Sequence, residues 1–170
     1  MAVACYPGTF NPPTVAHLAI AEAALRACGV ERVELVVSRV PIGKEDLTRP
    51  TLEERLAVLR HVVHGRDWLG LSVTDQRHIA AIAQGYDVIV MGADKWEQVI
   101  DAAYYESEAA RDAAVGSLPR VAVAPRGGHP VPEGAVLLDV ALHDVSSTAA
   151  RDGRRDLMLP EAVVSGHWTG

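Results

Sequence analysis

The stretch "YPGTFNPPTVAHL", residues 6–18, joins the first apolar segment of the chain to its first helical pattern. Gly8 has no side chain and so lets backbone amides approach an anion closely. Thr14 lies at the N-cap position, and His17 lies one turn into the helix, where its side chain points back over the helix N-terminus. Because a helix N-terminus attracts phosphate, this stretch predicts an anion site, with a capped helix and an incidental histidine as the alternative.

Strand and helix patterns alternate along the rest of the chain. Repeated strand–helix–strand units predict an α/β fold in one domain over residues 1–170, with a parallel sheet that has helices on both faces. In such a sheet, ligands bind beyond the C-terminal ends of the strands, near the switch point. Residues 6–18 follow the C-terminal end of the first strand, so they are a candidate for this site. We expect strands at residues 2–6, 32–38, 69–74, 86–92, 120–126 and 135–142, and helices at residues 14–28, 51–65, 75–85, 95–114, 146–153 and 160–168.

Composition argues against several classes of protein. The 170 residues are 49% hydrophobic and carry a formal charge of −6, so we expect a folded chain without a broad basic face for nucleic acid. No apolar run is long enough for a membrane span, and the apolar start lacks the basic residues of a signal peptide, which predicts a cytoplasmic location. Cys5 and Cys28 have no metal-ligand spacing, and we expect two buried free thiols.

Two motifs at opposite ends of the chain resemble those of the nucleotidylyltransferase superfamily. TVAH, residues 14–17, is similar to its [HT]-x-G-H signature, and VSSTAAR, residues 145–151, resembles its I-S-S-T-x-x-R motif. The resemblance implies a Rossmann-like fold and an enzyme that joins a nucleotide to a phosphorylated substrate. It also implies that the second motif holds the triphosphate at another helix N-terminus.

Further segments resemble two groups of adenylyltransferases. VMGADKW, VAVAPRGG and RRDLMLPEAVVSGHW are similar to segments of the nicotinate and nicotinamide mononucleotide adenylyltransferases. YPGTF and GKEDLTRPTLEERLAVL, in the first third, resemble phosphopantetheine adenylyltransferase instead. The chain departs from both groups. Ala16 replaces the motif's glycine, Thr14 replaces a histidine of the mononucleotide enzymes, and residues 91–94 lack the arginine of the phosphopantetheine enzyme.

The resemblance implies adenylyl transfer from ATP, as a substrate, to the phosphate of a small-molecule acceptor. Mg²⁺ would bridge phosphate oxygens, with no metal site built by the protein. The favoured acceptor is nicotinate or nicotinamide mononucleotide, which yields a dinucleotide of NAD biosynthesis. The alternatives are phosphopantetheine as acceptor, another nucleotidyl transfer such as cytidylyl transfer, and a non-catalytic nucleotide-binding relative. Many members of the family assemble, so a homo-oligomer is compatible with the resemblance.

Residues that match the family's motifs, with neighbours in the same loops, make up the predicted site. The predicted catalytic residues are His17, Thr14, Lys44 and Arg151. The predicted ATP-binding residues are Gly8, Thr9, Phe10, His17, Gly92, Asp94, Ser147, Thr148 and Arg151, and those for the acceptor are Thr9, Lys44 and Trp96. Residue type alone also allows a structural role for three of these residues. Lys44 is then a surface lysine, Asp94 a helix cap and Trp96 an anchor of its helix. Loop 38–50 has the length and Pro/Gly content of a mobile lid.

Overall fold

Six parallel strands form one sheet in the order β3-β2-β1-β4-β5-β6. A computed structural model describes residues 1–44, 46–141 and 145–168 of the protein. The predicted α/β fold with a parallel sheet is confirmed. The strands are β1 (Val3–Pro7), β2 (Arg32–Ser38), β3 (Leu69–Thr74), β4 (Val88–Gly92), β5 (Arg120–Ala124) and β6 (Val136–Leu137), and the helices are α1 (Val15–Cys28), α2 (Leu52–Val63), α3 (Ile79–Ile82), α4 (Ala93–Ile100), α5 (Glu108–Gly116), α6 (Ser147–Arg151) and α7 (Pro160–Ser165).

Side chains along the strands alternate between the two faces of the sheet. On β1, Ala4 and Tyr6 belong to a buried apolar cluster that includes residues of α1 and α2. Cys5, between them, belongs to a second cluster that includes residues of α3 and α4. This alternation buries both faces of the sheet under helices, as predicted. Cys5 and Cys28 are buried free thiols, which was also predicted.

The helix α1 begins and ends where the sequence predicts. Thr14 is its N-cap, and Gly29 has the left-handed backbone (φ 65°) that ends the helix. The helix α2 begins at the predicted position with a capping box, in which the side chains of Thr51 and Glu54 each accept a hydrogen bond from the other's backbone N–H. None of the described helices is long and apolar enough to span a membrane.

The helix expected over residues 95–114 is interrupted. It is split into α4, a 3₁₀ turn at Ala102–Tyr104, and α5. Asp101 Oδ1 accepts the N–H of Ala103, and Ser107 Oγ accepts the N–H of Ala110. Each of these short polar side chains therefore caps a new start, which is why one long helix does not form.

Two other predicted elements are shorter than expected. The helix expected over residues 75–85 is reduced to α3. Gln76, just after β3, is instead held at the end of β2, because its backbone O accepts the hydroxyl of Ser38 (2.7 Å). The strand expected over residues 135–142 is reduced to β6, which lies at the sheet edge and pairs with β5 alone. Residue 142 lies outside the described part of the chain.

The switch point lies between β1 and β4, the two central strands. The strands β2 and β3 lie on one side of β1, and β4, β5 and β6 lie on the other. Loops that leave the C-terminal ends of β1 and β4 therefore diverge and leave a crevice. The C-terminal segment returns to this crevice: Leu159 N–H donates to Pro13 O (3.0 Å), and Thr14 forms a β-bridge with Met158.

Candidate active site

A cavity of about 460 Å³ lies at the C-terminal ends of β1 and β4. The loops after β1 to β5 and the start of α6 form its wall. The two sequence motifs, from opposite ends of the chain, thus meet at the predicted switch point. All but one of the predicted site residues line the cavity: Gly8, Thr9, Phe10, Thr14, His17, Lys44, Gly92, Asp94, Ser147, Thr148 and Arg151.

Thr14 and His17 form a capping box at the start of α1. The Thr14 backbone N–H donates to Nδ1 of His17 (2.9 Å), and the His17 backbone N–H donates to Oγ1 of Thr14 (3.4 Å). Thr14 is 1% exposed, so its amide needs an acceptor within the protein. Since a backbone N–H can only donate, Nδ1 presents its lone pair and the neutral ring carries its proton on Nε2. Nε2–H is therefore the donor that remains for a ligand in the cavity.

The His17 ring is uncharged near neutral pH. Burial, and secondly the positive charge of Arg126, lower its pKa from 6.5 to about 4, against an opposing effect of Asp94. The ring packs edge-to-face against those of Phe10 (centroids 4.9 Å apart) and Tyr6 (6.1 Å). His17 is thus a fixed neutral hydrogen-bond donor rather than a base or a cation.

Gly8 has a different role from the one inferred from sequence. Its backbone N–H donates to Val36 O (3.1 Å), so this amide is not available to an anion. A Cβ at Gly8 would lie 2.9 Å from the Phe10 ring, so glycine is needed to let that ring pack against the loop. The amides of Thr9 and Phe10 make no hydrogen bond within the described part of the chain. These two amides are the loop's donors for a phosphate.

The second motif, on α6, docks against the first loop. Ser147 Oγ donates to Pro12 O (2.8 Å). Arg151 donates from Nη1 to the backbone O of Asn11 and from Nη2 to Oγ1 of Thr148 (3.3 Å). Both residues also line the cavity. The second motif therefore holds the first loop in place as well as facing the ligand space.

Positive side chains surround the cavity although the chain as a whole has a formal charge of −6. Asp94 is the one carboxylate among the described lining residues, and it is paired with Arg126 (Nη1 to Oδ2, 3.6 Å). The local charge therefore favours an anionic ligand. The cationic side chains of the lining are Lys44, Arg77, Lys95, Arg126 and Arg151.

Lys95 and Arg126 are cavity residues that sequence reasoning missed. Lys95 Nζ donates to Gln98 Oε1 (2.7 Å), and burial lowers the pKa of its ammonium below the usual value. Arg126 follows the end of β5, and its Nη2 donates to Val145 O (3.2 Å), just before α6. A cation directly after a parallel strand, in the segment APRGG, is a signal that could have identified Arg126.

A recess of about 430 Å³ lies beside the cavity and was not predicted. His78 and Tyr105 stack there with ring centroids 5.2 Å apart and planes at 25°, and Tyr104 is 40% exposed. The recess and the cavity share these three residues, so a ligand in the cavity can reach the aromatic surfaces. The tyrosine pair in DAAYYES, after α4, is the sequence signal. The recess is lined by Ile42, Arg77, His78, Ala103, Tyr104, Tyr105 and Glu106.

The start of α4 places Gly92 and Asp94 at the cavity but Trp96 away from it. A Cβ at Gly92 would lie 2.6 Å from Asp94 Oδ1, so glycine leaves room for this carboxylate. Trp96 is partly buried against the apolar cluster that contains Cys5 and Val36, and it is not among the residues that line the cavity. Its position matches a helix anchor, and no described contact supports the predicted role in acceptor binding.

Comparison with known proteins gives a family match over most of the chain. The family model described as Cytidylyltransferase-like matches residues 5–153. A "Probable nicotinate-nucleotide adenylyltransferase" from Anaeromyxobacter dehalogenans (strain 2CP-C) is 32% identical over 95% of this chain and 91% of its own length. Proteins of the same description from Listeria innocua and Saccharophagus degradans are 37% and 46% identical over shorter segments. These segments are 35% and 38% of this chain, and they span only 32% and 29% of the two relatives.

A solved structure shares the fold. The structure of Plasmodium falciparum nicotinic acid mononucleotide adenylyltransferase complexed with NaAD superposes with a TM-score of 0.69, over 97% of this chain and 94% of that chain, at 12% identity. At this identity the likeness concerns the fold, and it confirms the Rossmann-like sheet. Since the family model covers most of the chain and a full-length relative exceeds 30% identity, the protein belongs to the cytidylyltransferase-like family.

Proposed function

We propose that this protein is an adenylyltransferase that moves AMP from ATP onto the phosphate of nicotinate or nicotinamide mononucleotide and releases pyrophosphate. The observation that carries the proposal is the Thr14–His17 pair, which holds an uncharged N–H donor at a helix N-terminus inside a cation-lined cavity. Such a donor stabilises charge on a phosphate oxygen as that charge develops. The relatives described as nicotinate-nucleotide adenylyltransferases support the same reaction.

The triphosphate of ATP would lie between the first loop and α6. The backbone amides of Thr9 and Phe10 would donate to it from one side, and Ser147, Thr148 and Arg151 would contact it from the other. Lys44, from the loop after β2, would add positive charge. Gly92 leaves space at the start of α4, where Asp94 would accept from a ribose hydroxyl.

In the proposed reaction, an oxygen of the acceptor phosphate attacks the α-phosphorus of ATP. The new O–P bond forms as the bond to the α,β-bridging oxygen breaks, and pyrophosphate leaves with that electron pair. The acceptor phosphate is already an anion at neutral pH and needs no general base, in agreement with a neutral His17. His17 Nε2–H would donate to an oxygen of the α-phosphate, and Thr14 would hold the ring in place. The protein's contribution is positioning and charge stabilisation.

Magnesium would be held mainly by the phosphates themselves. Among the residues that the structure describes, no group of three or more His, Cys, Asp or Glu could hold a metal ion. Asp94 is 50% exposed and faces the cavity beside Arg126. This donor set fits an ion that would be held mainly by phosphate oxygens and water, with Asp94 as the lining carboxylate that would be available to it. The chemistry that Mg²⁺ supplies when bound is neutralisation of charge on the leaving pyrophosphate.

The recess beside the cavity supports an acceptor with a flat ring. The stacked pair of His78 and Tyr105 and the half-exposed Tyr104 offer aromatic faces to a pyridine base. With the base in the recess, the acceptor phosphate would extend into the cavity towards His17. Phosphopantetheine has no aromatic ring for these surfaces.

Homo-oligomer formation stays a prediction.

A panel of nucleotides and acceptors tests the proposal. ATP or CTP is combined with nicotinate mononucleotide, nicotinamide mononucleotide or phosphopantetheine, and pyrophosphate release is followed. We expect release with ATP and a pyridine mononucleotide. Release with phosphopantetheine as the only active acceptor would overturn the proposed acceptor. Release with CTP as the only active nucleotide would overturn the proposed nucleotide. Nucleotide binding without any release would indicate a binding protein rather than an enzyme.

A further inference from the structure

Arg55, on α2, is a buried cation without an acidic partner in the described part of the chain. It is 5% exposed, and no ion pair between described residues includes it. Its Nε is buried and has no hydrogen-bond partner. A buried charge that lacks a counter-charge is costly, and an apolar side chain of similar size would avoid that cost. Arg55 therefore contributes something other than packing.

The guanidinium of Arg55 makes one described hydrogen bond, to the first loop. Its Nη1 donates to the backbone O of Thr9 (2.9 Å). Thr9 and Phe10 line the cavity whereas Arg55 does not, so the Thr9–Phe10 peptide lies between the guanidinium and the cavity. This peptide is trans, and the C=O and N–H of a trans peptide point in opposite directions. With the Thr9 carbonyl turned towards Arg55, the N–H of Phe10 points away from the guanidinium.

The backbone conformation of Phe10 must be stabilised by contacts with its surroundings. Its φ is +49°, in the strained left-handed region that residues other than glycine rarely adopt. The ring is held against Gly8 and, edge-to-face, against Tyr6 (5.7 Å) and His17 (4.9 Å). Ring packing therefore fixes the Phe10 side chain, and the hydrogen bond from Arg55 fixes the Thr9 carbonyl that precedes it.

We propose that Arg55 is the positioning residue for the phosphate donor of the first loop: it anchors the Thr9 carbonyl so that the Phe10 N–H faces the triphosphate. The inference rests on the proposed function for the identity of the ligand. The orientation of the peptide itself does not depend on which reaction follows.

Two variants and a matched control separate positioning from stability. Arg55→Met removes the donor and keeps an apolar stem, whereas Arg55→Lys keeps a cation that can still reach a carbonyl. The control is Arg120→Met, because Arg120 Nη1 also donates to a distant backbone carbonyl, that of Cys28 (3.2 Å), but at the start of β5, far from the cavity. Each protein is examined by thermal unfolding, by calorimetric titration with inorganic triphosphate and by steady-state kinetics.

We expect Arg55→Met to bind inorganic triphosphate at least tenfold more weakly and to raise KM for ATP by a similar factor, with a smaller change in kcat. Arg55→Lys should recover part of the affinity, and Arg120→Met should bind as the wild type does. In wild-type protein labelled with ¹⁵N, the amide signal of Phe10 should move on addition of triphosphate, because its N–H becomes a donor.

Triphosphate affinity within twofold of the wild type in folded Arg55→Met would overturn the proposal. So would a Phe10 amide signal that does not move in the wild type. If Arg55→Met does not fold, two measurements decide whether the proposal stands. These are the shift of the wild-type Phe10 amide signal and the affinity of Arg55→Lys for inorganic triphosphate. A protein that binds triphosphate through Phe10 but releases no pyrophosphate with any acceptor would leave this inference standing and remove the proposed reaction.

Discussion

The backbone N–H of Thr14 lies 2.9 Å from Nδ1 of His17, and this hydrogen bond determines which nitrogen of the ring carries the proton. In most capping boxes a Glu or Gln side chain occupies the place that His17 takes here. The same contact that starts α1 therefore orients an imidazole towards the cavity. Its protonation state and ring orientation are set before any ligand arrives, as electrostatic preorganisation requires.

Replacement of His17 by alanine should lower kcat while the fold persists. The variant lacks the neutral donor to the α-phosphate, and loss of one such donor typically costs about 10²- to 10³-fold in turnover. Pyrophosphate release measures kcat, and circular dichroism with thermal unfolding checks the fold. Turnover close to that of the wild type would remove His17 from the mechanism.

Stability should fall in acid because His17 is held neutral. Its pKa is about 4 in the folded protein and 6.5 in the unfolded chain, so between these values only the unfolded chain takes up the proton. The contribution of the neutral ring is thus present above pH 6.5 and is lost as pH falls towards 4. The test compares the wild type with His17→Gln, which keeps an acceptor for the Thr14 amide. In denaturant unfolding, the difference between their free energies of unfolding should shrink as pH falls from 6.5 to 4. A His17 ring that titrates near 6.5 by NMR would contradict the assignment.

Replacement of Arg151 by alanine should chiefly weaken ATP binding. The side chain lines the cavity and holds the backbone O of Asn11, and charge-assisted hydrogen bonds are worth roughly 1.5–3 kcal/mol, so KM for ATP should rise about tenfold or more. Arg155→Ala is the control, since Arg155 is exposed and is not among the residues that line the cavity. Unchanged ATP affinity in Arg151→Ala would count against the second motif as a triphosphate site.

Replacement of Trp168 by phenylalanine should destabilise the protein. The indole Nε1–H donates to Oδ1 of Asn11 (2.6 Å), and Asn11 is only 7% exposed. Phenylalanine keeps an aromatic ring but leaves that oxygen without its donor, at a cost of about 1–3 kcal/mol in the free energy of unfolding. Urea unfolding gives the value, with Trp68→Phe as the control, because Trp68 packs against the main apolar cluster and its indole makes no described hydrogen bond. Equal losses in the two variants would show that the Asn11 contact contributes nothing specific.

Much of the fold could be predicted because it depends on local signals. Thr14, Thr51 and Gly29 cap helices through residues a few positions away, and the apolar strands recur between helical patterns. Asp101 and Ser107 carry equally local capping signals, yet the continuous helical pattern of residues 95–114 concealed them. The alternation of strands and helices also predicts where the switch point lies, and hence where the cavity opens.

The rest of the site depends on contacts between distant segments, which residue type does not reveal. Arg55 reaches Thr9 and Arg126 reaches Val145 only because the fold brings those segments together. From sequence alone, a buried or cavity-lining arginine looks like any surface arginine. Trp96 shows the converse, since an aromatic residue beside a motif lies against the core instead of in the cavity.

The most direct measurement follows the α-phosphate of ATP itself. The protein is incubated with ATP labelled at the α-phosphate and with nicotinate or nicotinamide mononucleotide, and the labelled products are separated. We expect the label in a dinucleotide with an equal amount of pyrophosphate, and a fall of about 100-fold or more in both for His17→Ala. Label that stays in ATP, or that appears as free AMP, with both acceptors would contradict adenylyl transfer to a pyridine mononucleotide.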